Sequence, residues 1–168
     1  QPVYMKAVGL GLPQERALAL AALRIVDAAN EWIYSRLDRD NTIWIQTSDN
    51  GGEPHKGASN YPLRGGKGSG WQGGFQVPCF VWLGANLRGS LKSYEGLVHV
   101  TDWVPTLIGG ALGAPEALPD DLYGQDLWES LRGNSEKKRE DILLLATAGT
   151  GDDAGEAMVS LRTDRYKG

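Results

Sequence analysis

The residues best suited to chemistry lie within positions 47–74, in the stretch TSDNGGEPHKGASNYPLRGGKGSGWQGG. Its first end carries Asp49 and Asn50, whose side chains offer two hard oxygen ligands of the kind that calcium and magnesium prefer. Its far end carries Arg64 and Lys67 among glycines, which supply cations and accessible backbone N–H groups for an oxyanion such as phosphate or sulfate. The pattern predicts one ionic site, with a metal ion at one end and an anion at the other.

Each of these residues also has a plainer interpretation. Asp and Asn followed by Gly are ordinary turn formers, and two ligands do not complete a calcium site, which needs six to eight. A glycine-rich segment with a lysine is commonly a solvated surface loop. His55 can contact a ligand, but a loop histidine is more commonly solvated, and His99, in the run LVHV, is more typical of a hydrogen-bonded structural residue. The residue types alone leave these alternatives open.

Three better-known motifs fail in their context. Gly68-x-Gly70-x-x-Gly73 matches the dinucleotide fingerprint by letter, but it follows a loop and precedes a strand, whereas the fingerprint needs a strand before it and a helix after it. Lys67 is followed by Gly where a phosphate-binding P-loop requires Ser or Thr. The Gly-x-Ser-x-Gly motif of serine hydrolases is absent. Nucleotide binding and serine hydrolysis are therefore not predicted.

Composition narrows the class of partner. The 168 residues carry a net charge of −4, which predicts no nucleic-acid partner and no attraction to an anionic membrane. The run ALALAAL is far too short to span a bilayer, and no signal-peptide pattern is visible. The single cysteine, Cys79, excludes an internal disulfide and a cysteine-based zinc cluster, and its apolar run VPCFVWL predicts a buried strand residue.

The elements around the long loop predict how its ends are positioned. A helix is expected from about Pro13 to Leu37, with an apolar stripe and Ala-rich flanks that predict burial by neighbours. Strands are expected at 42–47 and 77–83, on either side of the loop. Helices alternating with strands predict an α/β sheet, in which ligands gather beyond the carboxyl ends of the strands. Asp49 and Asn50 stand at such a place.

The rest of the chain predicts a second, smaller unit. Thr101 or Asp102 is expected to cap a helix over 103–112, and a short helix is expected over 126–132. NSEKKRED predicts a charged surface turn. ILLLATAG and AMVSLRTDRYK predict two strands joined by a hairpin loop, TGDDAGE, and the composition changes near Asn134.

Several strings together resemble a known family. TSDNGG, GASNYPLRGGKGSGWQGG and VPCFVWL, in this order and spacing, are similar to the second half of the type I sulfatases, which belong to the alkaline phosphatase superfamily. Among these, arylsulfatase B-like members are the most similar, with SDNGG, N-W-P-L-R-G-x-K and W-E-G-G at the same spacing. Further similarity covers most of the chain, at IVDAANEWIYSRL, HVTDWVPTL, YGQDLWESLRG and LRTDRYK.

The resemblance implies a fold and a site. Residues 1–134 would be part of a mixed β-sheet sandwiched by helices, and residues 135–168 the start of a small antiparallel C-terminal sheet. Asp49 and Asn50 would be two ligands of a Ca2+ ion, and Lys67 would contact the sulfate ester as its S–O bond breaks. Arg64 and His55 would be supporting residues of the same loop.

The resemblance also implies what this chain lacks. Sulfatases use a formylglycine, made from Cys or Ser in a C/S-x-P-x-R motif, and a paired Asp motif, both in the first half of the protein; neither occurs here, and Cys79 is followed by Phe-Val-Trp. The N-terminal half of the same protein is therefore an expected partner, and this fragment alone is not expected to be active. The implied substrate is a sulfated small molecule or glycan, and the implied location is secreted, extracellular or lysosomal.

One departure from the family keeps a second function open. The family's W-E-G-G-x-R appears here with Gln72 in place of the acid and Gln76 in place of the base. We interpret this as joint loss of a charged pair, since a lone buried charge would be costly. The chain therefore predicts either a sulfate ester hydrolase or a catalytically inactive, sulfatase-like structural or glycan-binding protein of an extracellular assembly.

Overall fold

The computed structural model describes residues 3–90, 93–136, 138–146 and 158–163. These residues form two compact units, the first built on the residues up to Leu87 and the second on Arg88–Leu145. The boundary at 134/135 inferred from composition remains a prediction.

Two helices open the first unit. Helix α1 spans Val3–Gly9 and packs against α2, which spans Gln14–Tyr34 and follows Pro13 in an extended conformation. The predicted helix is thus confirmed, but its predicted burial is wrong. Within α2 only Ala17 is buried, while the stripe residues Ile25 and Trp32 are 72% and 60% exposed. The helix therefore presents an apolar face that no described element covers.

The sheet of the first unit has two strands. Strand β1 (Ile43–Thr47) pairs antiparallel with β2 (Cys79–Leu83), with Ile43 opposite Leu83 and Thr47 opposite Cys79. Both strands are rich in β-branched and aromatic residues, as predicted. The register brings the residues that follow β1 beside those that precede β2, so the Ser48 N–H lies 3.4 Å from the Pro78 carbonyl oxygen.

Aromatic packing holds α2 on this sheet. The ring of Tyr34, at the end of α2, lies 6.1 Å from that of Trp44 and meets Trp82 edge-on at 5.7 Å. Trp44 also meets Phe80 edge-on at 6.1 Å. Such pairs add to area burial. Cys79, by contrast, is exposed because it is the first residue of β2, at the open end of the strand pair, and its predicted burial is wrong.

A short helix, α3 (Gln72–Phe75), completes the first unit just before β2. The second unit holds a π-helical segment over Pro105–Ala111 and a short helix, α4, over Trp128–Leu131. Strands β3 (Asp141–Ala146) and β4 (Met158–Thr163) pair with each other, as the sequence predicts. The predicted hairpin loop between them lies outside the described residues.

The predicted helix cap is displaced to His99. The turn Val100–Asp102 begins after His99, whose side chain accepts from the Thr101 N–H, while the Asp102 carboxylate accepts from the His99 N–H at 2.8 Å. This reciprocal arrangement is a capping box. Asp102 is therefore the third residue of the turn and not its N-cap. His99 is a hydrogen-bonded structural residue, as its place in LVHV predicts.

The Asp102 carboxylate is also the centre of a buried ion pair. Its Oδ1 accepts from Arg139 Nη1 at 2.5 Å and from the Gln125 N–H at 2.8 Å. The Arg139 Nε donates to the Asp141 carbonyl oxygen at 2.7 Å, and its guanidinium lies 4.4 Å from the centre of the Tyr123 ring. Arg139 is 2% exposed, so its predicted place in a surface turn is wrong. The pair joins segments 37 residues apart.

His99 makes the stability of this unit sensitive to acid. Burial and the positive charge of Arg139 lower the pKa of His99, against the opposing effect of the Asp102 carboxylate. The unfolded chain therefore binds a proton more readily, and the free energy of unfolding is expected to fall as pH drops below the ordinary histidine value of about 6.5. His99→Asn retains a capping oxygen but has no group that titrates in this range, so we expect it to lose this pH dependence. Urea unfolding from pH 7.5 to 5 measures the effect. An unchanged slope in the variant would show that other groups cause it.

Candidate functional site

Asp49 and Asn50 lie just beyond the carboxyl end of β1. Thr47 ends the strand, and the Ser48 hydroxyl donates to the Asn50 carbonyl oxygen at 2.8 Å, which shapes the turn. Asp49 is exposed and Asn50 is half-buried. Both side chains thus follow directly from a strand end, where the sequence places them.

Backbone hydrogen bonds bring the basic end of the loop back to this turn. The Lys67 N–H donates to the Gly52 carbonyl oxygen at 3.2 Å, and the Gly51 N–H donates to the Gly74 carbonyl oxygen at 2.9 Å. The chain therefore returns to within two residues of Asn50 at the position of Lys67. The loop joins its two ends through its backbone, while the metal and sulfate roles of Asp49, Asn50 and Lys67 remain predictions.

The side chain of Asn60 clamps the loop. Its Oδ1 accepts from the Gly52 N–H at 2.8 Å, and its Nδ2 donates to the carbonyl oxygens of Gly52 and Gly65 at 2.9 and 3.0 Å. One amide thus holds together the acid and basic halves of the loop, using the complementary donors and acceptors of an amide. Asn60 was not among the residues predicted for the site. Its one signal in the sequence was an Asn between the acid and basic ends of the glycine-rich loop.

The glycines permit this close folding. A Cβ on Gly51 would overlap the Gly73 carbonyl, and one on Gly66 would lie 2.9 Å from Pro54 Cδ and 3.1 Å from Asn60 Nδ2. The Gly66 N–H donates to the Ser69 hydroxyl oxygen at 3.1 Å. Gly66 is therefore needed for close packing of the loop. Its N–H group already donates to Ser69, so the prediction that it is accessible to an anion is wrong at this position.

Gly51→Ala is expected to destabilise the loop strongly, because the added methyl group meets the Gly73 backbone rather than a flexible side chain. The loss should be about 3 kcal/mol or more in the free energy of unfolding, at the upper end for overpacking. Gly9→Ala is the matched control, since a Cβ there meets nothing within 4 Å and the site is helical. Equal urea midpoints for the two variants would contradict the packing argument.

Charges in the loop lie close to one another. Lys56 Nζ lies 2.8 Å from a Glu53 carboxylate oxygen. The hydrogen bond from Lys56 is the main cause of the lowered pKa of Glu53, and the charges of Lys56, Lys67 and His55 lower it further. The Lys67 ammonium thus lies within electrostatic reach of Glu53, on the same loop as His55.

Arg64 lies over an aromatic ring. Its guanidinium carbon is 3.7 Å from the centre of the Trp71 ring, a close cation–π stack. The Arg64 carbonyl oxygen accepts from the Gly73 N–H at 2.7 Å, so the backbone beneath the stack is also held.

The family profile described as Sulfatase matches residues 5–114 of this chain. The chain belongs to the sulfatase family. The match covers the helix, both strands of the first unit and the whole loop, so the sequence resemblance is confirmed.

Curated relatives agree with this assignment. The sulfatase chain is 42% identical to mouse (Mus musculus) arylsulfatase J over 106 residues, which cover 62% of this chain and 17% of that protein. It is 33% identical to steryl-sulfatase of Rattus norvegicus over 138 residues, which cover 73% of this chain and 23% of that protein. The chain thus spans about a fifth of the length of these relatives.

Solved structures confirm the fold. The crystal structure of Ps i-CgsB in complex with k-i-k-neocarrahexaose aligns with a TM-score of 0.71 and 28% identity, covering 93% of this chain and 34% of that chain. The predicted fold, part of a mixed α/β sulfatase architecture followed by a small antiparallel sheet, is therefore shown. No helix in the described part of this sulfatase chain has the length and apolar character needed to cross a membrane.

The oxygen donors of this sulfatase chain fit calcium in kind but not in number. Asp49 and Asn50 offer hard oxygens at a strand end, whereas calcium takes six to eight such ligands. Among the described residues, no group of three or more His, Cys, Asp or Glu side chains is placed to hold a metal ion. A calcium site built on Asp49 and Asn50 would need further oxygen ligands.

The altered pair of this sulfatase chain still interacts. Gln72 Nε2 donates to Gln76 Oε1 at 3.1 Å across one turn of α3, on an exposed surface. The two side chains are therefore close enough to pair, while the pairing of the acid and base that they replace stays a prediction. Gln76 is exposed and Gln72 only half-buried, so the expected penalty for a lone buried charge is wrong here.

The pair predicts a coupled but small effect on stability. Gln72→Glu and Gln76→Arg together should be more stable than the sum of the single variants predicts, because an exposed i,i+4 ion pair replaces the amide bond. The coupling free energy should be about 0.3–0.5 kcal/mol, and a double-mutant cycle with urea unfolding measures it. Strict additivity would show that the two side chains act independently.

Proposed function

We propose that this chain is the C-terminal part of a sulfatase that hydrolyses sulfate esters, with a calcium-bound formylglycine supplied by residues outside this chain. The observation that carries the proposal is the hydrogen bond from the Lys67 N–H to the Gly52 carbonyl oxygen, which returns the basic end of the loop to the acid–amide turn. Membership of the sulfatase family supports the reaction class.

Each residue of the site has a defined role in this proposal. Asp49 and Asn50 supply two of the oxygen ligands for Ca2+, which when bound contributes positive charge beside the sulfate. The Lys67 ammonium contacts a sulfate oxygen and offsets the negative charge that develops as the S–O bond breaks. In the net reaction water adds to the sulfur, the alcohol leaves with a proton, and sulfate is released.

The exposed face of α2 supports an intramolecular partner. Leu18, Ile25 and Trp32, which share one side of the helix, are 53%, 72% and 60% exposed, an apolar surface of the kind that marks an interaction site. The chain covers 34% of the aligned sulfatase structure. We assign this face to the N-terminal half of the same protein, which would also supply the nucleophile and the remaining metal ligands. A secreted, extracellular or lysosomal location belongs to the same proposal.

Turnover of 4-methylumbelliferyl sulfate tests the proposed function. The complete protein should release the fluorophore with calcium present, lose this activity in EGTA and regain it when calcium is restored. The chain alone should be inactive. A complete protein that is folded by circular dichroism and shows no turnover above buffer would overturn the proposal.

The Gln72–Gln76 pair favours a second candidate, a sulfatase-like fold retained for structure or glycan binding in an extracellular assembly. Its exposed amides replace a charged pair that the family carries on this loop. Binding of a sulfated glycan without turnover of any sulfate ester would support this candidate. Turnover by the unaltered protein would exclude it.

A further inference from the structure

The exposed aromatic and basic side chains between positions 53 and 71 are not all used by the hydrolysis of a sulfate ester. Tyr61 is 91% exposed, the highest value among the large apolar and aromatic side chains of the described residues. An exposed ring of this size on a loop that returns to the candidate site requires an explanation, since aromatic rings usually bury most of their area.

The backbone under Tyr61 is firmly held. The Leu63 N–H donates to the Asn60 carbonyl oxygen at 2.8 Å, which closes a tight turn with Tyr61 at its tip. The Asn60 side chain ties the base of this turn to Gly52 and Gly65. The ring is therefore presented from an anchored base, so little backbone entropy is lost when a ligand stacks on it.

The Arg64–Trp71 stack is a second prepared surface on the same loop. Trp71 is 47% exposed, and the guanidinium lies 3.7 Å from the ring centre. This cation–π contact limits the positions that the guanidinium adopts. A planar guanidinium restricted in this way suits a sulfate or carboxylate, which it binds with two parallel hydrogen bonds.

The loop is locally cationic. Positions 53–71 hold three basic residues, Lys56, Arg64 and Lys67, and one acid, Glu53, so the formal charge is 3 − 1 = +2, whereas the whole chain carries −4. A polyanion would be attracted to this loop and repelled by the rest of the surface.

We propose that this loop binds a sulfated oligosaccharide on the alcohol side of the cleaved ester, with Tyr61 stacking on a sugar ring and Arg64 binding a sulfate next to the one held at Lys67. The proposal rests on the proposed function, since it names the substrate class of the same site. Sugars combine apolar C–H faces with many hydrogen-bonding groups, which matches exposed rings beside cations. A steroid would instead need an enclosed apolar pocket.

Binding to the complete protein tests this without requiring turnover. The probes are a sulfated galactan hexasaccharide, a sulfated glycosaminoglycan hexasaccharide, their desulfated forms and a steryl sulfate. At least one sulfated hexasaccharide should bind, and Tyr61→Ala should weaken that binding about tenfold, in line with the cost of removing one stacking ring. Tyr61→Phe keeps the ring and should bind like the unaltered protein. Arg64→Ala should reduce the salt dependence of binding, because one ionic contact is lost.

Two results would overturn the inference. One is that neither sulfated hexasaccharide binds, or that each binds no more tightly than its desulfated form. The other is that Tyr61→Ala, with the urea-unfolding midpoint of the unaltered protein, binds the sulfated hexasaccharide as tightly as the unaltered protein does. Absence of turnover together with Tyr61-dependent hexasaccharide binding would reject the hydrolase and retain the glycan site, so the two proposals fail separately.

Discussion

Lys67→Ala in the complete protein is expected to lower kcat/KM for 4-methylumbelliferyl sulfate by about 10²–10³, the typical cost of removing one group that stabilises developing charge in a transition state. The reason is that the backbone N–H of Lys67 is hydrogen-bonded to Gly52, next to the acid–amide turn, and the proposed function assigns its ammonium to the sulfate. Lys67→Arg should recover part of the rate, since charge is kept while its geometry changes.

Lys56→Ala is the matched control for this prediction. Lys56 lies on the same loop, carries the same charge and is exposed, but its ammonium is paired with Glu53. Its removal should change kcat/KM by less than about threefold, since an exposed pair contributes about 0–1 kcal/mol. Equal losses in the two variants would mean that the rate responds to the net charge of the loop, and would remove Lys67 from the proposed mechanism.

The second large effect concerns stability. Arg139→Ala should lower the free energy of unfolding by about 3–5 kcal/mol, because it leaves the fully buried Asp102 carboxylate without its charged partner. Asp102→Ala should cost a similar amount, since it strands the Arg139 guanidinium and removes the acceptor of the His99 and Gln125 N–H groups. Urea unfolding followed by tryptophan fluorescence measures both losses.

An exposed ion pair in the same unit provides the comparison. Arg132 Nη1 lies 3.1 Å from a Glu129 carboxylate oxygen, with the Glu129 side chain 52% exposed. Glu129→Gln should change the free energy of unfolding by no more than about 1 kcal/mol. A loss below about 1 kcal/mol for both Arg139→Ala and Asp102→Ala would show that the buried pair is well hydrated in solution and does not hold this unit together.

Local sequence signals predicted most of the regular elements. Helix α2 follows Pro13 with a periodic apolar pattern, and β1 and β2 are short runs of β-branched and aromatic residues on either side of a glycine-rich segment. These signals depend on residues close together along the chain, so they can be recognised without knowing which segments pack against each other. The family was recognisable for a related reason, since its loop strings occur in a fixed order and spacing.

The errors share a different cause. The exposure of Cys79, the apolar face of α2 and the burial of Arg139 each depend on which segment lies opposite, and residue type does not report that. Arg139 stands in a run of charged residues that is typical of a solvent-exposed turn, yet its partner is Asp102, 37 positions earlier. The cap moved to His99 because the Asp102 carboxylate reaches back to the His99 N–H while it also serves that distant pair.

By itself, the sequence determined the family, the main helix and strands, and the chemical character of the loop, because these follow from residue type and local spacing. Only the tertiary structure decided that Asn60 clamps the loop, that the glycines pack backbone against backbone, and that Tyr61 stands exposed at the tip of its turn. The physical reason is that hydrogen bonds and steric contacts between distant segments select one folded arrangement from many that the local preferences allow.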